Sequence, residues 1–394
     1  MELHFRSMDF SVFFTPSNFR GNAFAAPPAG RLLDKVTFFS GELKELNGKR
    51  LAIIGVCEDR QNAGNLGSSN GPDAFRSYFY KLFPFDLEAN IIDLGNILSG
   101  NEIADTYYAV SKTCEELIKK NIIPIIIGGS QDITYANYLA YENLEQTVNL
   151  VTVDRCLDFG QTSEDTTSGN YLNKIILHKP NYLFNYSNLG HQRYLSDPEL
   201  LQLMGKMYFD VYRLGEIQPF MQRTEPVIRN ADIVSFDMSS IRQSESPGSL
   251  NAGPNGFYGD QAAQMCRYAG MSDKLTSFGI YELNPDVDPT GQSSHLAAQM
   301  VWCFIEGYLS RKADYPVCDY SEYLKFIVHL EQEQHDLIFY KSNKSDRWWM
   351  DVPYPAGEQK YERHHLVPCT YEEYQQASNE ELPDRWWKTY QKLV

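Results

Sequence analysis

The sequence predicts an α/β fold, a three-layer α/β/α sandwich around a mostly parallel sheet. Near-continuous apolar runs at 51–56, 122–127, 150–153 and 233–236 read as strands buried on both faces. Stretches with apolar residues at helical spacing separate them, and such alternation builds a parallel sheet with helices on both sides. Several of the strands also run straight into polar, acid-bearing segments. In open α/β sheets that end is where ligands bind.

Taken in order, residues 1–48 are aromatic-rich and irregular around Pro27-Pro28 and read as an N-terminal arm packed on the main domain. The strand at 51–56 leads into a loop, 61–76, with Gly64, Gly67, Gly71 and Pro72, and a helix begins near Asp73. That loop matches neither the GxxxxGK[ST] phosphate cradle nor the GxGxxG dinucleotide fingerprint. A short strand at 91–94 precedes a helix over 105–120, whose closing Lys119-Lys120 suits a helix C-terminus. Further elements follow: a helix near 135–145, a strand ending at Asp154, a strand near 181–186 and a helix near 198–207. The strand at 233–236, a helix over 259–270, a strand over 275–282 and a helix over 293–309 complete the pattern.

From about Arg311 the composition turns aromatic and charged, and Asp346-Arg347-Trp348-Trp349 is echoed by Asp384-Arg385-Trp386-Trp387. Trp and Arg anchor interfaces, so 313–394 is expected to pack as an extension on the core or to serve protein partners or self-association. The main α/β domain spans 49–312.

The 394 residues carry 35 basic and 51 acidic side chains, a net charge of −16, which argues against nonspecific binding to nucleic acid or anionic membrane. No apolar run approaches a membrane span, and the first six residues lack the pattern of a secretory signal. Seven cysteines, odd in number and without CxxC pairs, favour reduced thiols and a cytoplasmic setting. His364-His365 reads as a pair of surface histidines, and Asn188-Leu189-Gly190-His191 as a strand end rather than a catalytic dyad. Ser168 and Ser235 lack the GxSxG nucleophile elbow.

Three strand ends look like one site: Gly128-Gly129-Ser130-Gln131-Asp132, Asp154-Arg155-Cys156-Leu157-Asp158 and Asp237-Met238-Ser239-Ser240. With Gly71-Pro72 before Phe75-Arg76, and with Tyr281-Glu282-Leu283-Asn284-Pro285 running on to Thr290-Gly291, these pieces resemble the ureohydrolase superfamily of arginases, agmatinases and formimidoylglutamases. The resemblance covers roughly 49–312 and implies an arginase-like fold. In the family, these segments hold two metal ions, usually manganese, that activate a bridging hydroxide; two dications need several carboxylates and imidazoles.

Carried over position by position, Asp154, Asp158 and Asp237 match ligand aspartates, whereas Gln131 and Cys156 stand at histidine positions and Ser239 at an aspartate position. Glu282 matches the glutamate that pairs with the substrate's guanidinium or amidino group. Ser168 and Asn170, in Thr166-Thr167-Ser168-Gly169-Asn170, resemble the arginase loop that holds an amino-acid end, while the proton-transfer histidine that follows is Leu172 here.

We therefore expect a family member that has lost the binuclear reaction and acts by binding a small amino-acid-like ligand or a protein. The alternative is a hydrolase of linear formimidoyl or guanidino C–N bonds with a single-metal or rebuilt centre. We expect no resident cofactor, or else one divalent cation (Mn2+, Mg2+ or Ca2+) at the aspartates; without it, Arg155 and Arg242 are expected to hold them.

Overall fold

The computed structural model describes residues 10–16, 29–86, 88–160, 165–315, 320–330, 336–355 and 359–393. Met1 to Arg6 and Pro27-Pro28 lie outside the described residues.

The central sheet is built from β1 (Phe14–Thr15), β2 (Thr37–Phe38), β3 (Leu51–Cys57), β4 (Ile91–Leu98), β5 (Ile123–Ile127), β6 (Val148–Val153), β7 (Leu183–His191), β8 (Asp210–Arg213), β9 (Ile233–Asp237) and β10 (Ser277–Tyr281). Its order is β1-β4-β3-β5-β10-β9-β6-β7-β8, with β2 on β4, and every pairing is parallel except β1 with β4. The inner strands are fully buried, as their unbroken apolar runs require. One face packs on the helices Gly71–Phe79, Gly259–Met271 and Gln292–Leu309, the other on Ile103–Lys119, Ile133–Asn143 and Pro198–Lys206. The expected three layers are present. The arm joins them: β1 and β2 extend the sheet, and Phe10 is buried against its second face.

Three elements differ from expectation. The strand expected at 181–186 continues to His191, because Asn188 spends its side chain on neighbouring backbone, donating to Cys156 O at 3.1 Å and accepting from His191 N. Asn188-Leu189-Gly190-His191, read as a strand end, is the end of this strand. The short edge strand β8 was not legible in Asp210-Val211-Tyr212-Arg213, which is half-buried and lacks alternation. Residues beyond 320, which suggested no regular elements, form an antiparallel sheet of β11 (Tyr323–Val328), β12 (Leu337–Ser342), β13 (Trp348–Asp351) and β14 (Leu366–Cys369).

This second sheet has its own core of Phe339, Trp348, Met350, Val367 and Trp386. It meets the α/β core through charge and aromatic contacts. Arg363 pairs with Asp232 at 2.6 Å, Lys388 with Asp210 at 3.2 Å, and Arg229 stacks over Trp349 while donating to Trp348 O. The two Asp-Arg-Trp-Trp segments fold differently, one entering β13 and one opening the helix Asp384–Leu393.

His364 corrects the surface reading. It is 1% exposed, stacks on Phe184 with ring centroids 4.0 Å apart, and bonds Thr147 Oγ1 at 2.8 Å. An imidazole can sit in such a seam because one face is apolar and one nitrogen finds a partner. His365 is half-buried on Asp351. Among the described residues six cysteines are free and no helix is long and apolar enough to cross a membrane.

Candidate functional site

Strand register brings the acids together. Val153 pairs with Phe236 and Tyr281 with Asp237, so Asp154, Asp237 and Glu282 emerge side by side at the carboxyl ends of β6, β9 and β10. The turn after β5 adds Gln131. Gly129 is required there, since a Cβ would collide with the Glu58 carbonyl, whose oxygen takes the Ser130 N–H at 3.0 Å.

Each position read as a replaced ligand turns out to donate a hydrogen bond to a carboxylate. Oriented to satisfy its neighbours, the Gln131 amide gives its NH2 to Asp154 Oδ2 and Asp158 Oδ2, both at 3.1 Å, and accepts the Tyr171 hydroxyl at 3.2 Å. The Cys156 thiol reaches Asp154 Oδ1 at 3.6 Å and Asp158 Oδ1 at 3.5 Å, and its N–H donates to Asp154 Oδ1. Ser239 donates its N–H and its hydroxyl to the two oxygens of Asp237, at 2.6 and 2.7 Å.

Arg242 does not hold the aspartates, contrary to expectation. Its guanidinium lies 3.4 Å from the centre of the Tyr258 ring and donates to Gly256 O. Arg155 acts on Asp154 through its charge, at a distance.

Burial is the largest cause of the shifts at this site. It raises the Asp154 carboxyl and, joined by repulsion from Asp154, lifts Asp158 well above the ordinary carboxylate range. Asp237 rises likewise through burial, Asp154 and Glu282, and the Cys156 thiol is pushed well up by burial and then by the aspartates. A low-dielectric pocket cannot carry all these charges, so the carboxyls share protons among themselves and their donors.

Glu282 has the left-handed backbone (φ 66°) and is held by three donors: the Asn62 amide, the Asn65 amide at 2.8 Å and Gln131 N–H at 2.9 Å. Burial still lifts its carboxyl to about 7. Asn62 and Asn65 were missed from sequence; two amides three residues apart in a glycine-rich loop are a signal only once Glu282 is known to be buried opposite them. Tyr171 was missed as well.

Ser168 and Asn170 flank Gly169, which lines a cleft together with Cys156. The Asn170 amide accepts from Thr167 N–H at 2.7 Å and donates to Asp165 O, so it shapes its own loop. The Ser168 N–H donates to Gln61 O, tying that loop to the glycine-rich one. Leu172 is fully buried. That cleft of about 940 Å³ is also lined by Phe159, Leu200 and Lys206.

This donor set does not fit two manganese ions. The Cys156 thiol and the Ser239 hydroxyl present protons to the carboxylates, the Gln131 amide can turn either its NH2 or its oxygen to them, and a thiol is a soft ligand. For one cation the set is closer: Asp154, Cys156 and Asp158 can offer one ligand atom each, all within 4.8 Å of one another.

Comparison with known proteins agrees with this fold. A formimidoylglutamase of Staphylococcus haemolyticus is 27% identical over 267 residues, covering 65% of this chain and 85% of that protein. One from Lysinibacillus sphaericus is 26% identical over 270 residues, covering 64% and 83%. Among solved structures, formimidoylglutamase from Bacillus subtilis superposes with a TM-score of 0.65 at 20% identity, over 74% of this chain and 96% of that one. Trypanosoma cruzi formiminoglutamase with Mn2+ gives 0.64 at 23%, over 73% and 100%. Residues 49–306 match the Arginase family model, and the chain belongs to the arginase family.

Proposed function

We propose that the pocket at Asp154, Asp158, Asp237 and Glu282 takes a small ligand bearing a cationic amidine or amino-acid group, and that it works without a binuclear metal centre. The carrying observation is that Gln131, Cys156 and Ser239 all hydrogen-bond the carboxylates that would otherwise ligate metal. A buried, acid-rich pocket favours a cation, and an amidinium offers planar, paired donors that carboxylates accept.

Two readings of that occupancy remain distinct. The donor geometry supports binding without hydrolysis, because groups that act as a unit in a two-metal reaction are replaced together. The relatives support the other: they are formimidoylglutamases, which argues for a hydrolase of linear C–N bonds, and the donor set would give it at most one cation, at Asp154, Cys156 and Asp158. Taken alone, the comparisons back the hydrolase better.

The deciding experiment offers the purified full-length protein Mn2+ and Zn2+ separately. Bound metal is counted per chain, and ammonia or formamide release from formimidoylglutamate and a guanidino acid is measured. Two equivalents of Mn2+ with turnover would overturn the proposal. One equivalent with turnover, abolished by Asp154→Asn, selects the hydrolase. No turnover, with saturable binding of the amidine that Asp154→Asn weakens, selects binding alone. Absence of both binding and turnover also overturns the proposal.

A further inference from the structure

On the far side of β7 from the acidic pocket lies a cavity of opposite charge. It measures about 150 Å³ and is lined by His191, Arg193, Arg213 and Arg242, with backbone and amide groups between them and no acidic residue. His191 closes β7 and Arg213 closes β8, and the ladder pairs the two, so both face the carboxyl end of the sheet. Arg242 comes from the segment after β9, fixed by its stack on Tyr258 and its bond to Gly256 O.

Two observations point to a missing occupant. Among the described residues the exposed guanidiniums of Arg193 and Arg213 meet no acceptor, although the chain carries 16 more acids than bases. In addition, His191 is 6% exposed with a buried Nδ1 that has no partner, and Arg242 Nε is likewise buried without one. Buried donors and acceptors are rarely left unmade. Three guanidiniums around one small cavity favour an anion between them. Glu216 is near enough to act on His191 but does not line the cavity.

We propose that this cavity is a binding site for a phosphate-type dianion, free or as the head of a small phosphomonoester. Three guanidiniums supply more donors than one planar carboxylate can accept, whereas a tetrahedral oxyanion presents oxygens in several directions. The unpartnered His191 Nδ1 can donate to a phosphate oxygen in one tautomer or accept from the hydroxyl of hydrogen phosphate in the other. The wall is bonded to the acidic site's own backbone, since Gln192 N–H donates to Arg155 O at 2.7 Å. The assignment does not depend on what occupies the acidic pocket.

The test is calorimetric titration of the full-length protein at fixed ionic strength with inorganic phosphate, glycerol phosphate and malonate. Saturable binding of phosphate or glycerol phosphate is expected. Arg213→Gln, an exposed position that leaves the fold intact, should weaken it about tenfold or more, as should Arg242→Gln. Arg223→Gln, which touches a different surface, should not. Tighter phosphate identifies a free-anion site, and tighter glycerol phosphate a head-group site. Malonate binding as tightly as phosphate, no saturation by about 10 mM, or undiminished affinity in Arg213→Gln would each overturn the assignment.

Discussion

At the seam between the α/β core and the C-terminal sheet, buried charges meet opposite charges; at the carboxyl ends of β6, β9 and β10 they meet neutral donors. Asp232, whose side chain is fully buried, carries Arg363 at 2.6 Å. Burial alone would raise the Glu373 carboxyl, yet the Arg385 guanidinium beside it holds it below the usual range. In the acidic pocket the same burial goes uncompensated and the carboxyls move up. A charge cancelled inside the chain is structural, whereas carboxyls paired with an amide, a thiol and a hydroxyl stay available to a cation. The seam is thus closed chemistry, and the pocket is open.

The largest expected effect breaks the seam. Arg363→Met leaves Asp232 buried without its counter-charge and should cost about 3 to 5 kcal/mol in denaturant unfolding. A loss under about 1 kcal/mol would show that solvent already reaches Asp232. A smaller effect concerns pH. Burial lowers the Lys274 ammonium to about 7, opposed by the Asp232 charge and assisted by that of Arg363. In the unfolded chain the same group titrates near 10.4. Between those values the unfolded chain binds the proton more strongly, so this group makes stability rise with pH above about 7 and leaves the full cost in place below it. Comparing melting curves at pH 7 and pH 9, Lys274→Met should lack about 2 kcal/mol of that rise. Parallel pH profiles would place Lys274 in contact with water.

The contrast also marks what a sequence discloses. The inner strands were legible because burial on both faces forces unbroken apolar runs, and the helices because their apolar residues recur at helical spacing. The strand-end acids stood out for the same reason: Asp154 and Asp237 follow directly on such runs. The role of Gln131, Cys156 and Ser239 as donors was not legible, since that depends on where each side chain points. The extension was opaque because its sheet is half-exposed and aromatic, and its two Asp-Arg-Trp-Trp segments adopt different structures from one tetrapeptide. Local sequence could not separate them; tertiary packing did. His191 and Arg213 look unremarkable until the β7–β8 ladder sets them side by side.

The smallest effect is the sharpest for the acidic pocket. Asp158→Asn removes one of three crowded acids while keeping an oxygen for the Cys156 thiol. The Gln131 amide, which now gives its NH2 to both Asp154 and Asp158, can turn over to present its oxygen to the new amide. With no cation in place, relief of repulsion should leave the protein as stable as before, or more stable by up to about 1 kcal/mol, opposite in sign to the seam variant. If Asp154, Cys156 and Asp158 hold a cation, the same change behaves differently: added Zn2+ raises the melting temperature of the parent protein and not that of the variant. A metal-free Asp158→Asn protein that melts several degrees lower would mean that this carboxyl, like Asp232, is structural, and the contrast between seam and pocket would fall.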